Sequence, residues 1–244
     1  MKKLLLAAAL TALTAGLTAG AGMSQTVRMG TEGAYPPYNF IDDNGQVAGF
    51  ERELGDELCK RAALECTRAK NDWDSIIPNL VSGNYDTIMA AMSITEERKK
   101  AISFTQNYLP PAASSFVALE DGVDLEGGII AVQTGTVQAS YIAETPATML
   151  EFPNIDQVFA AIRNGEADAG FGDHEVVRPY VEDSDDLTFV GEEVFLDEGI
   201  GVGLRQSDNE LREKLDAAIT DMKGDGSLNA LITKHFGDAA AIHE

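Results

Sequence analysis

Basic residues are scarce in this chain: 18 lysines and arginines stand against 40 aspartates and glutamates, a formal charge of −22 over 244 residues. A surface so negative repels phosphate backbones and anionic lipid, so nucleic acid is not expected as a partner. Histidine is rarer still. The chain has three (His174, His235, His243), with no G-x-S-x-G nucleophile elbow, no H-E-x-x-H pair and no C-x-x-C pair. A Walker-type phosphate loop and a G-x-G-x-x-G dinucleotide turn are also missing; Gly199 to Gly203 reads G-I-G-V-G, small and apolar residues alternating as in a strand. These absences weigh against hydrolytic, metal-dependent and nucleotide-dependent catalysis, and neither a cofactor nor a metal site is expected.

Long apolar runs are missing beyond the first two dozen residues. These read M-K-K-L-L-L-A-A-A-L-T-A-L-T-A-G-L-T-A-G-A-G, with Ala19-Gly20-Ala21 in the A-x-A pattern of a signal peptidase site. Residues 1–22 are therefore expected to be a signal peptide, cleaved near 21–25, and the mature protein to be periplasmic. Threonines and glycines from Thr11 onward keep the run short of the ~20 apolar residues of a membrane anchor. Losing Lys2 and Lys3 takes the formal charge from −22 to −24. Cysteine is also sparse: Cys59 and Cys66 are the only two, and in an oxidising compartment they are expected to pair. A zinc site is the sharper alternative, but the histidines lie far off in sequence.

What is present alternates between helix and strand. T-V-R-M-G-T-E reads as a strand, the prolines of Y-P-P-Y-N-F forbid helix, and D-D-N-G at 42–45 reads as a hairpin turn. Phe50, Leu54, Leu58 and Ala62 recur every four residues, the period of an amphipathic helix. The alternation continues to the C-terminus and argues an α/β fold with largely parallel sheets. Ser207-x-x-Glu210 reads as a capping box opening a helix that Gly224 ends, and a second helix, S-L-N-A-L-I-T-K-H-F, stops at Gly237.

One pattern occurs twice. I-I-P-N-L-V-S-G-N-Y-D-T-I-M-A-A-M-S and V-F-A-A-I-R-N-G-E-A-D-A-G-F-G-D are each a helix stopped by glycine (Gly83, Gly165), then an aspartate (Asp86, Asp168), then a short strand, expected to end on Ser93 and Asp173. The repetition suggests two lobes of similar build, and ligands in open α/β sheets bind beyond the carboxyl ends of strands. Asp86 and Asp168 are read as structural. G-G-I-I-A-V-Q-T-G-T-V-Q-A-S-Y-I-A adds a strand, a tight turn and a helix whose first N–H groups face whatever lies above the turn.

A free α-amino acid needs a guanidinium with other donors for its carboxylate and a sheltered carboxylate for its ammonium. Arg98 stands five residues after Ser93, in a helix that Thr95 can cap, so it can fold back over the strand end. Asp173 holds the equivalent strand end of the second module. Tyr35 and Trp73, at strand-to-loop junctions, are placed to sandwich a side chain. The plainer readings are a surface cation for Arg98 in E-E-R-K-K and core positions for the two aromatics.

The stretches G-T-E-G-A-Y-P-P-Y-N-F, G-Q-V-A-G-F-E-R-E-L, D-W-D-S-I-I-P-N-L, D-T-I-M-A-A-M-S-I-T-E-E-R-K-K-A-I-S-F-T, V-Q-T-G-T and G-D-G-S-L-N-A-L-I-T-K-H-F-G occur in one order along the chain. Over nearly its full mature length the chain resembles the bacterial periplasmic solute-binding proteins of polar amino acid ABC transporters, extracellular solute-binding protein family 3. L-C-K-R-x-x-x-x-C is similar to the short disulfide of the lysine/arginine/ornithine- and histidine-binding branch. The resemblance implies a two-lobed periplasmic binding protein fold of type II, each lobe a mixed, mainly parallel sheet flanked by helices. It implies lobe 1 at 26–110 plus 200–244, lobe 2 at 111–199, and a two-segment hinge near 110–119 and 197–204.

For the site, the resemblance implies Ser93 and Arg98 as the carboxylate clamp, helped by the Thr136 turn, and Asp173 as the ammonium partner. Tyr35 and Trp73 stack on the ligand side chain, Glu32 meets its far end, and Ala91 and Gln133 complete the set. Three departures stand out. Ala90 and Ala91 replace a pair of serines, Val137 replaces a threonine, and G-F-E-R-E-L replaces G-F-D-x-D-L on a helix not expected to touch ligand. The implied function is binding of a free amino acid, basic by preference, and its delivery to ABC transporter permease subunits, with a monomer expected. Glutamine, another polar amino acid or an opine is the alternative ligand, and a dehydratase or lyase on the same fold is the enzymatic alternative.

Overall fold

The computed structural model describes residues 26–244. The expected signal peptide at 1–22 lies outside the described residues. Thirteen strands follow in chain order: β1 (Thr26–Thr31), β2 (Ala34–Tyr35), β3 (Asn39–Ile41), β4 (Val47–Ala48), β5 (Glu65–Lys70), β6 (Thr87–Ile88), β7 (Ser103–Leu109), β8 (Ala113–Ala118), β9 (Ile129–Gln133), β10 (Thr148–Phe152), β11 (Ala169–Asp173), β12 (Thr188–Phe195) and β13 (Ile200–Leu204). Between them run α1 (Phe50–Arg61), α2 (Ile76–Val81), α3 (Glu96–Lys99), α4 (Val137–Ile142), α5 (Ile155–Arg163), α6 (His174–Glu182), α7 (Asn209–Gly224) and α8 (Ser227–Phe236). Among the described residues a single 3-10 turn spans Trp73–Ser75.

Two five-stranded sheets, β5-β1-β6-β13-β7 and β10-β9-β11-β8-β12, form the two lobes of an α/β fold, and β2-β3-β4 makes a small third sheet. In the first sheet β1 runs parallel to β5 and β6, whereas β13 is antiparallel to β6 and β7. The second repeats the pattern: β9 is parallel to β10 and β11, and β8 is antiparallel to β11 and β12. Helix-linked strands give the parallel pairs. The antiparallel pairs involve the strands flanking the two crossings between sheets, over 110–112 and 196–199, where the chain leaves and returns. The second crossing is held against β7, where Asn107 Nδ2 donates to the Glu198 carbonyl at 3.0 Å. Gly199, at φ +95°, packs so closely that a Cβ there would sit 2.3 Å from the Leu109 carbonyl.

The periodic residues of α1 point inward, with Phe50, Leu54 and Leu58 wholly buried. At its far end Cys59 is bonded to Cys66 of β5, Cα to Cα 6.2 Å. The bond closes a short loop, worth about 2–3 kcal/mol in chain entropy. Cys59→Ala with Cys66→Ala is expected to lower stability by that amount, read as a lower denaturant midpoint at unchanged slope. A loss under about 0.5 kcal/mol would show that packing alone holds α1 to β5.

Asp86 and Asp168 are structural. Asp86 accepts from the Arg28 backbone and side chain and from Arg205, and Asp168 Oδ2 accepts the Ile129 N–H at 2.7 Å. Two local expectations are corrected. The strand expected to end on Ser93 stops at Ile88: the Met89 N–H still bonds the Gly30 carbonyl of β1, Ala91 then turns left-handed at φ +49°, and Ser93 makes an isolated bridge to Ile200. The capping box at Ser207 is also absent. Helix α7 starts one residue later, with Asp208 at the cap, and the Ser207 hydroxyl bonds the Asp208 carboxylate instead.

Candidate ligand-binding site

Strand ends from both lobes converge on one cavity. Lobe 1 contributes Glu32, just past β1, Tyr35 of β2, Trp73 at the head of the 3-10 turn, Ala90, Ala91 and Ser93 beyond β6, and Arg98 of α3. Lobe 2 contributes Gln133 at the end of β9, Thr136 at the N-cap of α4, Val137 and Gln138 in its first turn, and Asp173, the last residue of β11. All nine residues singled out in the sequence therefore line the same space. Gln138 was not among them; it lies in the first turn of a short helix, and no motif marks it.

Arg98 is turned inward by its short helix. Thr95 Oγ1 accepts the Arg98 N–H at 3.2 Å, capping α3. The guanidinium then reaches back, donating from Nη1 to the Ser93 carbonyl at 2.9 Å and from Nη2 across the lobes to the Gly135 carbonyl at 3.2 Å, 5.3 Å from the Trp73 ring. Its neighbours face water. Lys99 pairs with Glu96 and Glu198, and Lys100 with Glu97. Burial pulls the Arg98 pKa down to about 10, against the attraction of Asp173 and Asp197.

Asp173 faces the same space from lobe 2. Tyr35 Oη donates to its Oδ2 at 2.8 Å and Gln138 Nε2 to its Oδ1 at 2.7 Å. Burial lifts its pKa to about 6, with Asp197 adding to the rise and Tyr35, Gln138 and Arg98 opposing it. Glu32, 4 % exposed, accepts from Gln133 Nε2 at 2.7 Å. Burial raises it to about 7; Glu51 and Asp72 push the same way, while Gln133 and Lys70 resist. Tyr35–Asp173, Glu32–Gln133 and Arg98–Gly135 are thus three direct contacts between lobes.

The chemistry divides by region. A guanidinium and the Thr136 turn offer donors to a carboxylate, and Asp173 offers a sheltered acceptor to an ammonium. Tyr35 and Trp73 supply aromatic surface, and Glu32 adds a second acid. Ala90, Ala91 and Val137 leave their part of the wall without hydroxyls. Glu51, of G-F-E-R-E-L, does not line the cavity, but its carboxylate accepts the Ala91 N–H at 2.7 Å. Two departures from the pattern of the resembled family therefore meet in one hydrogen bond. Sequence spacing gave no sign of it, because the two residues stand 40 positions apart.

The model of the bacterial extracellular solute-binding proteins, family 3, matches residues 27–238. A putative ABC transporter arginine-binding protein 2 of Escherichia coli (strain K12) is 35% identical, over 97% of this chain and 99% of the relative. The histidine-binding periplasmic protein of the same strain is 32% identical, over 97% of each. Among solved structures, a periplasmic His/Glu/Gln/Arg/opine family-binding protein from Silicibacter pomeroyi in complex with lysine is 65% identical. It superposes with a TM-score of 0.88 over 89% of this chain and 100% of the other.

Proposed function

The chain belongs to the bacterial extracellular solute-binding proteins, family 3, and from that membership we propose that it binds a free basic amino acid, lysine foremost, between its lobes and delivers it to ABC transporter permease subunits. The observation that carries this is the composition of the cavity. One inward guanidinium, Arg98, and one sheltered carboxylate, Asp173, come from different lobes, with a second acid, Glu32, in the same enclosure. The lysine-bound relative supports the choice of ligand.

The roles follow from the chemistry. Arg98, Ser93 and the Thr136 turn hold the α-carboxylate, Asp173 holds the α-ammonium, Tyr35 and Trp73 flank the side chain with Ala91, and Glu32 with Gln133 faces the distal cation. A ligand that bridges Arg98 and Asp173 binds the closed form better than an open one. That difference in affinity drives closure about a hinge that we assign to 110–119 and 197–204, between lobe 1 (26–110 and 200–244) and lobe 2 (111–199). The protein works by binding rather than catalysis, as do its named relatives. We assign it to the periplasm, exported by the leader at 1–22, and expect a monomer.

A thermal-shift panel of the twenty amino acids with ornithine, citrulline and opines, on refolded protein freed of carried-over ligand, tests the reading. Lysine, arginine and ornithine are expected to raise Tm most, a ligand at 100 times its Kd adding about 2.7 kcal/mol. A response to glutamine or an opine alone would move the assignment to that ligand, and a response to none would remove it.

A further inference from the structure

Behind the cavity lies a carboxylate that the clamp does not use. Glu51, in the first turn of α1, is 2 % exposed, and its partners among the described residues are all neutral donors. Asn39 Nδ2 donates to Oε2 at 2.7 Å, the Ala91 N–H to Oε1 at 2.7 Å, and the Tyr108 hydroxyl to the same Oε1. Asn39 is itself buried and passes the connection on, accepting the Gly33 N–H through Oδ1 at 2.7 Å. One side chain therefore ties together two turns that line the cavity: the one carrying Glu32 and Tyr35, and the one carrying Ala90 and Ala91.

Both turns need holding. Ala91 sits at φ +49°, a left-handed conformation unfavourable for any residue with a Cβ, and its N–H finds its acceptor in Glu51. Three donors and no acceptor meet the two oxygens, which matches a carboxylate and not an amide. A glutamine here would turn its NH₂ either on the Asn39 amide or on the Ala91 N–H. The position at the start of α1, where the helix dipole favours negative charge, suits the same form.

We propose that Glu51 is a positioning residue of the ligand cavity: by binding Asn39, Tyr108 and the Ala91 N–H it fixes the spacing between the Glu32 turn and the Ala90–Ala91 wall, and so sets the length of side chain the cavity accepts. This rests on the reading that the cavity takes an amino acid. Arg98 and Asp173 make no contact with Glu51, so a ligand that engages only the clamp is insensitive to it.

The test compares L-lysine with L-2,3-diaminopropionate, which has the same α-groups and a cationic side chain too short to reach the far wall. Glu51→Gln is expected to weaken lysine about 10-fold and to change 2,3-diaminopropionate by less than about threefold. In the ligand-free protein the Ala91 amide proton, bonded to a carboxylate in the parent, is expected to move upfield. Tyr108→Phe removes one donor to the same oxygen at nearly constant volume. It should reproduce the bias toward the shorter ligand in weaker form, and it decides the matter if Glu51→Gln does not fold. Equal losses for both ligands, or an unmoved Ala91 amide, would overturn the proposal. If the parent binds neither ligand, the amino-acid reading fails by itself, and the Ala91 amide still decides whether Glu51 holds the turn.

Discussion

Arg98→Ala is expected to weaken amino-acid binding by about 10²- to 10³-fold, the cost of leaving one partner of a buried charge pair unmatched, while the ligand-free protein loses no stability. The two halves of this result have one cause. With the lobes in contact the guanidinium packs on Trp73 and against the opposing lobe, and burial has drawn its pKa down to about 10. A basic group whose folded pKa lies below its ordinary value opposes folding at every pH beneath that folded pKa, so at neutral pH Arg98 is a cost to the fold. The two carbonyls it bonds, Ser93 and Gly135, offset only part of this. The ligand carboxylate supplies the missing countercharge.

Calorimetric titration measures the first half and thermal scans the second. Parent protein at 1,000 times its Kd gains about 4.1 kcal/mol from ligand, whereas a variant bound 10³-fold more weakly gains only about 0.4 kcal/mol at that concentration. Arg98→Lys should fall between, since an ammonium keeps the charge but not the two-pronged geometry. Binding by Arg98→Ala as tight as the parent's would end the clamp model. A ligand-free Tm well below the parent's would show Arg98 to be a structural residue.

The sequence made some of this legible because certain features are carried by short spacings. The α1 periodicity, the cysteine pair, Thr95 capping the helix of Arg98 and the strand ending on Asp173 are each settled within a few residues of chain. What escaped depends on contacts between distant segments. Ala91 sits in an apolar run that looks like continuing strand, and its left-handed turn is stabilised by Glu51 from another element. Gln138 and Asp197 have no motif around them. Asp197 lies outside the cavity lining, yet it acts on both Arg98 and Asp173 through its charge, from the crossing segment where it also accepts the Gly199 N–H at 2.8 Å. Ser207 misled for the opposite reason: a capping box is a local pattern, and Asp208, in an ion pair with Arg205 at 2.7 Å, took the cap position.

Asp173→Asn is expected to cost about 10²-fold in affinity for any α-amino acid, by removing the countercharge of the ammonium while keeping shape. Asparagine retains an acceptor for Gln138 or Tyr35, so the lobes still meet. Acid should mimic the substitution, and the sign follows from the environment of Asp173 with the lobes in contact. Burial holds Asp173 near 6, and a bound ammonium favours the ionised form and lowers that value. Affinity is then complete above about pH 6 and falls as the pH drops through it. Glu32, raised to about 7, behaves in the same way only toward a ligand with a distal cation. Lysine binding should therefore begin to weaken near pH 7 and glutamine binding only near pH 6. In Asp173→Asn the lysine profile should keep its step near 7 and lose the lower one, because Glu32 and its neighbours Gln133, Glu51, Asp72 and Lys70 are unchanged. Titrations from pH 5 to 8 with both ligands measure this. If the variant kept the parent's weakening near pH 6, the ammonium would have to be held by some other acid.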